Sequence, residues 1–273
     1  MGQPTILWDF DGTLARRPGL WSGALVEVLD TEMPGHGITR EELRSGLRDG
    51  FPWHEHQRGH EHLNSPEAWW AHVQRTLARA LQGVGIDDVR SRTLAARVPD
   101  HYLDPGRWVV ADDAKEALAL AAGAGWQNVI LSNHAPELAT LVDALGLRTH
   151  VSHVLTSARH GFEKPHPRAY EVALTASGHP DTVWMVGDNP IADVAGAARV
   201  GIPGVLIRHG PMGPEAETHL DAQYAHSGWN DWREHCRHTA GRPLEAVELI
   251  RRETAGQAGT PIRSDDNIYG GPS

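Results

Sequence analysis

The segment ILWDFDGTL, beginning at Ile6, sets two carboxylates, Asp9 and Asp11, at the end of an apolar run that otherwise reads as a buried strand. Burying a charge is costly unless it is paired or holds a cation. A chain with Asp9 and Asp11 there must therefore fold so that compensating groups meet them. Gly12, directly after the pair, permits a tight turn.

Further short apolar runs follow much later: NVILSN (Asn128–Asn133), HVSHVLT (His150–Thr156), VWMVGD (Val183–Asp188) and GVLIRHG (Gly204–Gly210). Helical patterns separate them, over Asp113–Ala124, Pro136–Leu145, Pro167–Ser177 and Ala192–Val200. Strands alternating with helices of this length predict an α/β fold, with a parallel, Rossmann-like sheet covered on both faces. Between Leu20 and Pro99 the signals are helical only. Thr39–Glu42 (TREE) is a capping box, and Ser65 with Pro66 starts another helix. Leu25, Val28 and Leu29 share one helical face, and Leu94, Ala95 and Val98 mark a further helix. An all-helical domain is thus expected between the first and second strands of the core. Beyond Gly210 the pattern fades. Trp229 and Trp232 are expected to be buried there, Arg242–Glu253 can form one more amphipathic helix, and the Gly- and Pro-rich end is expected to be partly disordered. The expected division is a core of residues 1–19 and 100–240, an insertion of 20–99 and a C-terminal extension of 241–273.

In an open parallel sheet, ligands bind at the carboxyl ends of the strands. Those ends carry Asp9 and Asp11, then Ser132 and Asn133, then Asp188 with Asp193 just beyond. Lys164 lies in the loop GFEKPHP after the third run, in a chain with only one other lysine, Lys115. The fold would gather carboxylates, one hydroxyl and one ammonium in a single crevice. Carboxylates so close repel one another unless a cation holds them, and hard oxygen ligands select Mg²⁺. Each piece alone has a plainer reading. Asp-Gly at a strand end is often only a turn, Ser132–Asn133 can cap the following helix, and Lys164 can be a solvated loop residue.

Taken in order, DFDGT, SN, KP and GDNPIAD resemble the four motifs of the haloacid dehalogenase (HAD) superfamily, over roughly Thr5 to His209. The helical insertion resembles that superfamily's cap domain. The resemblance implies Asp9 as a nucleophile that forms an aspartyl-phosphate, and Asp11 as the acid and then the base. It also implies Ser132 and Lys164 as holders of the phosphoryl oxygens, with Thr13 and Asn133 as supporting, substrate-side positions. Mg²⁺ would be held by Asp9, the main-chain carbonyl of Asp11 and Asp188, and Asp193 would orient Lys164 or a metal-bound water. The implied activity is a phosphatase acting on a small phosphorylated metabolite. A sugar-phosphate mutase and a catalytically silent binding protein are the alternatives. Asp11 argues against the superfamily's dehalogenases, and the lack of lysine between Leu14 and Asp113 against its phosphonate hydrolases.

Within the insertion, GFPWHEHQRGHEHLNSPEAWW concentrates His54, His56, His60 and His62 near Trp53 and Arg58. Trp53 can stack on a substrate ring and Arg58 can recognise a second anionic group, although packing and surface exposure are the plainer readings. His56 and His60 can share a helix face and bind zinc, contact substrate or be solvated; Gly59 between them weakens the zinc reading.

The net charge of −10 with no basic stripe argues against nucleic acid as the partner. The single cysteine, Cys236, excludes an internal disulfide and fits a reducing compartment. With no apolar segment long enough to span a bilayer and no signal-like opening, the expectation is a cytoplasmic protein without a membrane partner, monomeric or homodimeric.

Overall fold

The computed structural model describes residues 2–208 and 232–258. Its centre is a parallel sheet of six strands: β1 (Thr5–Trp8), β4 (Gln127–Ser132), β5 (His153–Thr156), β6 (Val183–Gly187), β7 (Gly204–Ile207) and β8 (His238–Ala240), in the order β5-β4-β1-β6-β7-β8. A separate antiparallel ribbon joins β2 (Ala15–Arg16) to β3 (Val109–Val110).

Alternation along the strands sorts side chains onto two covered faces, as a parallel sheet requires. Ile6, Trp8, Ile130 and Val186 point to one face, where they join Ala117, Leu118 and Ala121 of helix Ala114–Gly123 and Val247 and Ile250 of helix Pro243–Ala258. Leu7, Val129, Leu131 and Met185 point to the other, against Tyr170 and Ala173 of helix Pro167–Ala176. The two polar groups within the first face are satisfied. Trp8 Nε1 donates to Asn128 Oδ1 at 2.9 Å, and Asn128 Nδ2 donates to the carbonyls of Leu118 and His150.

Register places the site. Trp8 pairs with Ile130 on one side and Val186 on the other, so the chain leaves β1, β4 and β6 at one level. Asp9 therefore emerges beside Ser132 and Asp188. The strand expected over Thr5–Phe10 stops at Trp8, because the Phe10 carbonyl turns to accept the N–H groups of Thr13, Leu14 and Ala15.

Between β2 and β3 the described chain is helical: Leu20–Glu32, Arg40–Arg44, Pro66–Gly83, Asp88–Ala95 and Val98–Tyr102, with four short 3₁₀ turns. The Thr39–Glu42 capping box and the Ser65 cap are both formed. This segment packs around Leu25, Val28, Leu29, Trp69, Val73 and Leu77, all buried.

The structure departs from the sequence expectation in its short strands, in one helix start and at one boundary. The short strands β2, β3 and β8 have too few residues for a periodic signal. The helix expected at Ala192 begins earlier, as a π-helical turn over Pro190–Ala195 capped by the Asn189 side chain. The boundary expected at residue 240 separates β8 from the helix that covers it, whereas both pack with the core. Trp232 is buried. Trp229 and the residues after 258 lie outside those described. Among the described residues, no helix is long and apolar enough to cross a membrane.

Because Ile250 is buried in the core, Ile250→Ala should cost about 2–5 kcal/mol. Urea unfolding checks this: a single transition at lower midpoint is expected, and an unchanged midpoint would show that the last helix is an appendage.

Candidate active site

Asp9, the first residue beyond β1, is buried, and its Oδ1 accepts two hydrogen bonds, from Ser132 Oγ and Lys164 Nζ, each at 2.8 Å. The same ammonium donates to Asp193 Oδ1 at 2.6 Å. Asp193 is fully buried, and its Oδ2 accepts the Asn189 N–H at 2.9 Å. Lys164 is held from behind as well. Asn133 Nδ2 donates to the Lys164 carbonyl at 2.8 Å, and Asn133 Oδ1 accepts the Lys164 N–H at 2.7 Å. The side chain after β4 thus clamps the loop after β5.

Two glycines let the carboxylates approach. Gly12 has φ of 77°, and a Cβ there would lie 2.1 Å from Asp188 Oδ2. At Gly187 a Cβ would lie 2.1 Å from Asp193 Oδ2. No side chain fits at either position.

Oxygens of Asp9, Asp188 and Asp193 all lie within 4.8 Å of one another, the one such group of three or more potential metal ligands among the described residues. Charge crowding is visible at each neighbour. Burial, then the Asp9 charge, holds the Asp11 carboxyl well above the ordinary carboxylate range, with Tyr102, Lys164 and Arg17 pulling the other way. Asp188 lies at the exposed rim, where partial loss of water and then the charges of Asp9, Asp193 and Asp11 raise it too. Burial pushes Asp193 up to about 7, against the pull of Lys164. For Lys164, burial works against the ammonium, but Asp193 and Asp9 outweigh it and keep the side chain charged. One ammonium does not neutralise this many carboxylates. All the donors are hard oxygens, so the set fits a small divalent cation such as Mg²⁺.

Asp11 stands apart from the other three. Its Oδ2 accepts a hydrogen bond from Tyr102 at 3.5 Å, while its Oδ1 is buried with no partner among the described residues. The Thr13 hydroxyl is also buried, with no hydrogen-bond partner among the described residues.

Trp53 and Arg58, the insertion residues expected to meet substrate, have other partners in the structure. Trp53 stacks on Phe51 at 4.5 Å and on Trp21 at 6.1 Å, inside an aromatic cluster. Arg58 is 78% exposed and pairs with Glu55 at 3.3 Å. Residue type alone nominated both, and packing and solvation explain both. His56 and His60 are buried rather than solvated, and among the described residues they belong to no group of three potential metal ligands. Their segment instead docks on the loop that carries Lys164. The His60 N–H donates to the Gly161 carbonyl at 2.6 Å, and a Cβ on Gly161 would strike the Glu61 backbone at 2.7 Å.

Sequence reasoning missed three neighbours. Tyr102 closes on Asp11 from the end of the insertion. Trp70 Nε1 donates to both Glu137 oxygens, at 3.2 and 3.1 Å, tying insertion to core. Glu163, directly before Lys164, is buried, and that burial pushes it up to about 7. Glu163 and Trp70 lay within quoted segments, but nothing local in the sequence points to their partners, and Tyr102 carries no local signal either.

The family model of haloacid dehalogenase-like hydrolases matches residues 4–201. The chain belongs to this family. It is 35% identical over 241 residues to a phosphoserine phosphatase of Thermus thermophilus, covering 79% of this chain and 93% of that protein. It is 29% identical over 218 residues to human haloacid dehalogenase-like hydrolase domain-containing protein 3, covering 77% of this chain and 82% of the relative. In structure it is similar to the L-2-haloacid dehalogenase of Xanthobacter autotrophicus, with a TM-score of 0.61 at 20% identity, covering 91% of this chain and 98% of that one. The last likeness is one of fold.

In this hydrolase Gly12→Ala forces a left-handed backbone on a residue with a Cβ, at about 1–2 kcal/mol, and displaces Asp188. Titration calorimetry with Mg²⁺ should show affinity lowered at least about tenfold, or 1.4 kcal/mol. Unchanged affinity would remove Asp188 from the ligand set.

Proposed function

We propose that this hydrolase cleaves phosphate monoesters of small metabolites, with Asp9 as the nucleophile and Asp11 as the acid and base. The observation that carries this reading is the convergence of Ser132 Oγ and Lys164 Nζ on one oxygen of Asp9. Donors that meet a carboxylate there are also placed to meet the oxygens of a phosphoryl group brought up to it. The similarity to a phosphoserine phosphatase supports the same class of ester.

In the proposed reaction the second Asp9 oxygen bonds to phosphorus as the ester P–O bond breaks. The departing oxygen takes the proton from Asp11, whose raised carboxyl suits an acid at neutral pH. Water then attacks the aspartyl-phosphate and gives a proton back to Asp11. The Asp9–phosphorus bond breaks, and inorganic phosphate leaves. Lys164 and Ser132 meet the negative charge of the transferring group, and Asn133 and Asp193 keep Lys164 aimed. Thr13 supports the turn beyond Asp11.

Mg²⁺ would be held by Asp9, Asp188 and the main-chain carbonyl of Asp11, with Asp193 behind Lys164. When bound, the cation screens the charge shared by nucleophile and phosphate. The inserted helices serve as a cap over residues 20–99, and their docking onto the Lys164 loop supports a small, enclosed substrate rather than a phosphoprotein. A cytoplasmic location accords with this substrate class.

Incubation with a nitrophenyl phosphate, with and without Mg²⁺, tests the proposal. We expect Mg²⁺-dependent nitrophenol release that is lost in Asp9→Asn. Release that survives in Asp9→Asn, or none from folded, Mg²⁺-supplied wild type, would contradict it.

A further inference from the structure

Tyr102 occupies an unusual junction. It is the last residue of helix Val98–Tyr102, at the point where the chain returns from the inserted helices to the core. The side chain is 1% exposed, and its hydroxyl reaches Asp11 Oδ2. A buried phenol needs a hydrogen-bond partner, and here that partner is the carboxylate read above as the acid.

The ring is held from both crossings of the chain between core and insertion. Trp21, on the outgoing helix, stacks flat on it, with centroids 3.9 Å apart and planes 6° from parallel. Trp108, on the return, meets it edge-on at 5.7 Å and donates its Nε1–H to the Tyr102 carbonyl at 2.9 Å. Arg17 sits 5.7 Å from the ring centroid and donates to the carbonyls of Leu20 and His101, each at 3.1 Å, and to Glu27 at 2.5 Å. One buried guanidinium thus ties the outgoing segment to the returning one. Packed between the two crossings, the ring presents its hydroxyl to Asp11.

A carboxylic acid can carry its proton on either oxygen, and only one of them faces the leaving group productively. A phenol O–H donating to Oδ2 occupies that oxygen as an acceptor, so the proton resides on Oδ1. Oδ1 is the oxygen with no partner among the described residues. We propose that Tyr102 is a positioning residue that selects the Asp11 oxygen carrying the transferred proton, and that it does so only when the inserted helices are seated. This inference rests on the reading of Asp11 as the acid. It gives the cap a second task besides enclosing substrate.

The test is leaving-group dependence, which a merely structural role would not move. Nitrophenol departs as a stable anion and needs little proton donation, whereas an aliphatic alcohol such as that of glycerol 2-phosphate needs it fully. Tyr102→Phe keeps the stacked ring and removes the hydroxyl. Its kcat/KM for glycerol 2-phosphate should fall about tenfold or more, while that for nitrophenyl phosphate stays within about twofold. In an Asp11→Asn background the same substitution should change neither value further. Equal losses on both esters, no loss on either, or a further loss in Asp11→Asn would overturn the proposal. Should Tyr102→Phe not fold, Trp21→Leu, which frees the ring but keeps the hydroxyl, is read in the same way: a loss selective for the aliphatic ester is expected, and a uniform loss or none overturns the proposal. Wild-type turnover tests the phosphatase reading itself; the difference between esters within an active protein tests Tyr102.

Discussion

The ammonium of Lys164, shared between Asp9 and Asp193, holds together segments that meet nowhere else in the sequence: the end of β1, the loop after β5 and the turn after β6. Both carboxylates and the lysine are buried. Removing one partner from such a group strands the others without water, at a typical cost of 3–5 kcal/mol. Arginine serves almost everywhere else in this chain. Its planar fork is poorly suited to a point between two carboxylates, where a compact ammonium on a flexible stem fits.

That constraint spreads outward through the backbone. Asn133 fixes the main chain of Lys164, so the loop after β5 cannot move independently of β4. Gly12 and Gly187 are the positions where the carboxylates press against main chain, and any Cβ there would displace Asp188 or Asp193. The π-helical turn after β6 brings Asp193 back under Lys164, and Asn189 pins its start. On the far side, the insertion rests on the Lys164 loop through His60 and on the core through Trp70 and Glu137. The charged centre and the helices above it are thereby parts of one arrangement.

Much of the fold was legible because parallel strands buried on both faces leave continuous apolar runs, as at Val129–Leu131 and Val183–Val186. The capping box at Thr39 and the Ser65–Pro66 start were legible for a local reason, since a cap acts within one turn. Strands of two or three residues, such as β2, β3 and β8, carry no periodicity and were not. The convergence of Asp9, Ser132, Lys164 and Asp193 could be anticipated from strand ends and motif order. The contacts of Tyr102 and Trp70 could not, because their partners lie 91 and 67 residues away, respectively. Trp53 and Arg58 show the converse. A plausible residue type, without a neighbour to define its task, turned inward to other rings in one case and outward to solvent in the other.

The proposed reaction turns on Asp9 as the oxygen donor to phosphorus. The most direct measurement is rapid acid quenching of Asp11→Asn during turnover of nitrophenyl phosphate, followed by peptide mass spectrometry. With the proposed base removed, a phosphoryl group should accumulate on the peptide carrying Asp9. A phosphoryl group on a different side chain would contradict the account. So would nitrophenol release with no trapped phosphopeptide.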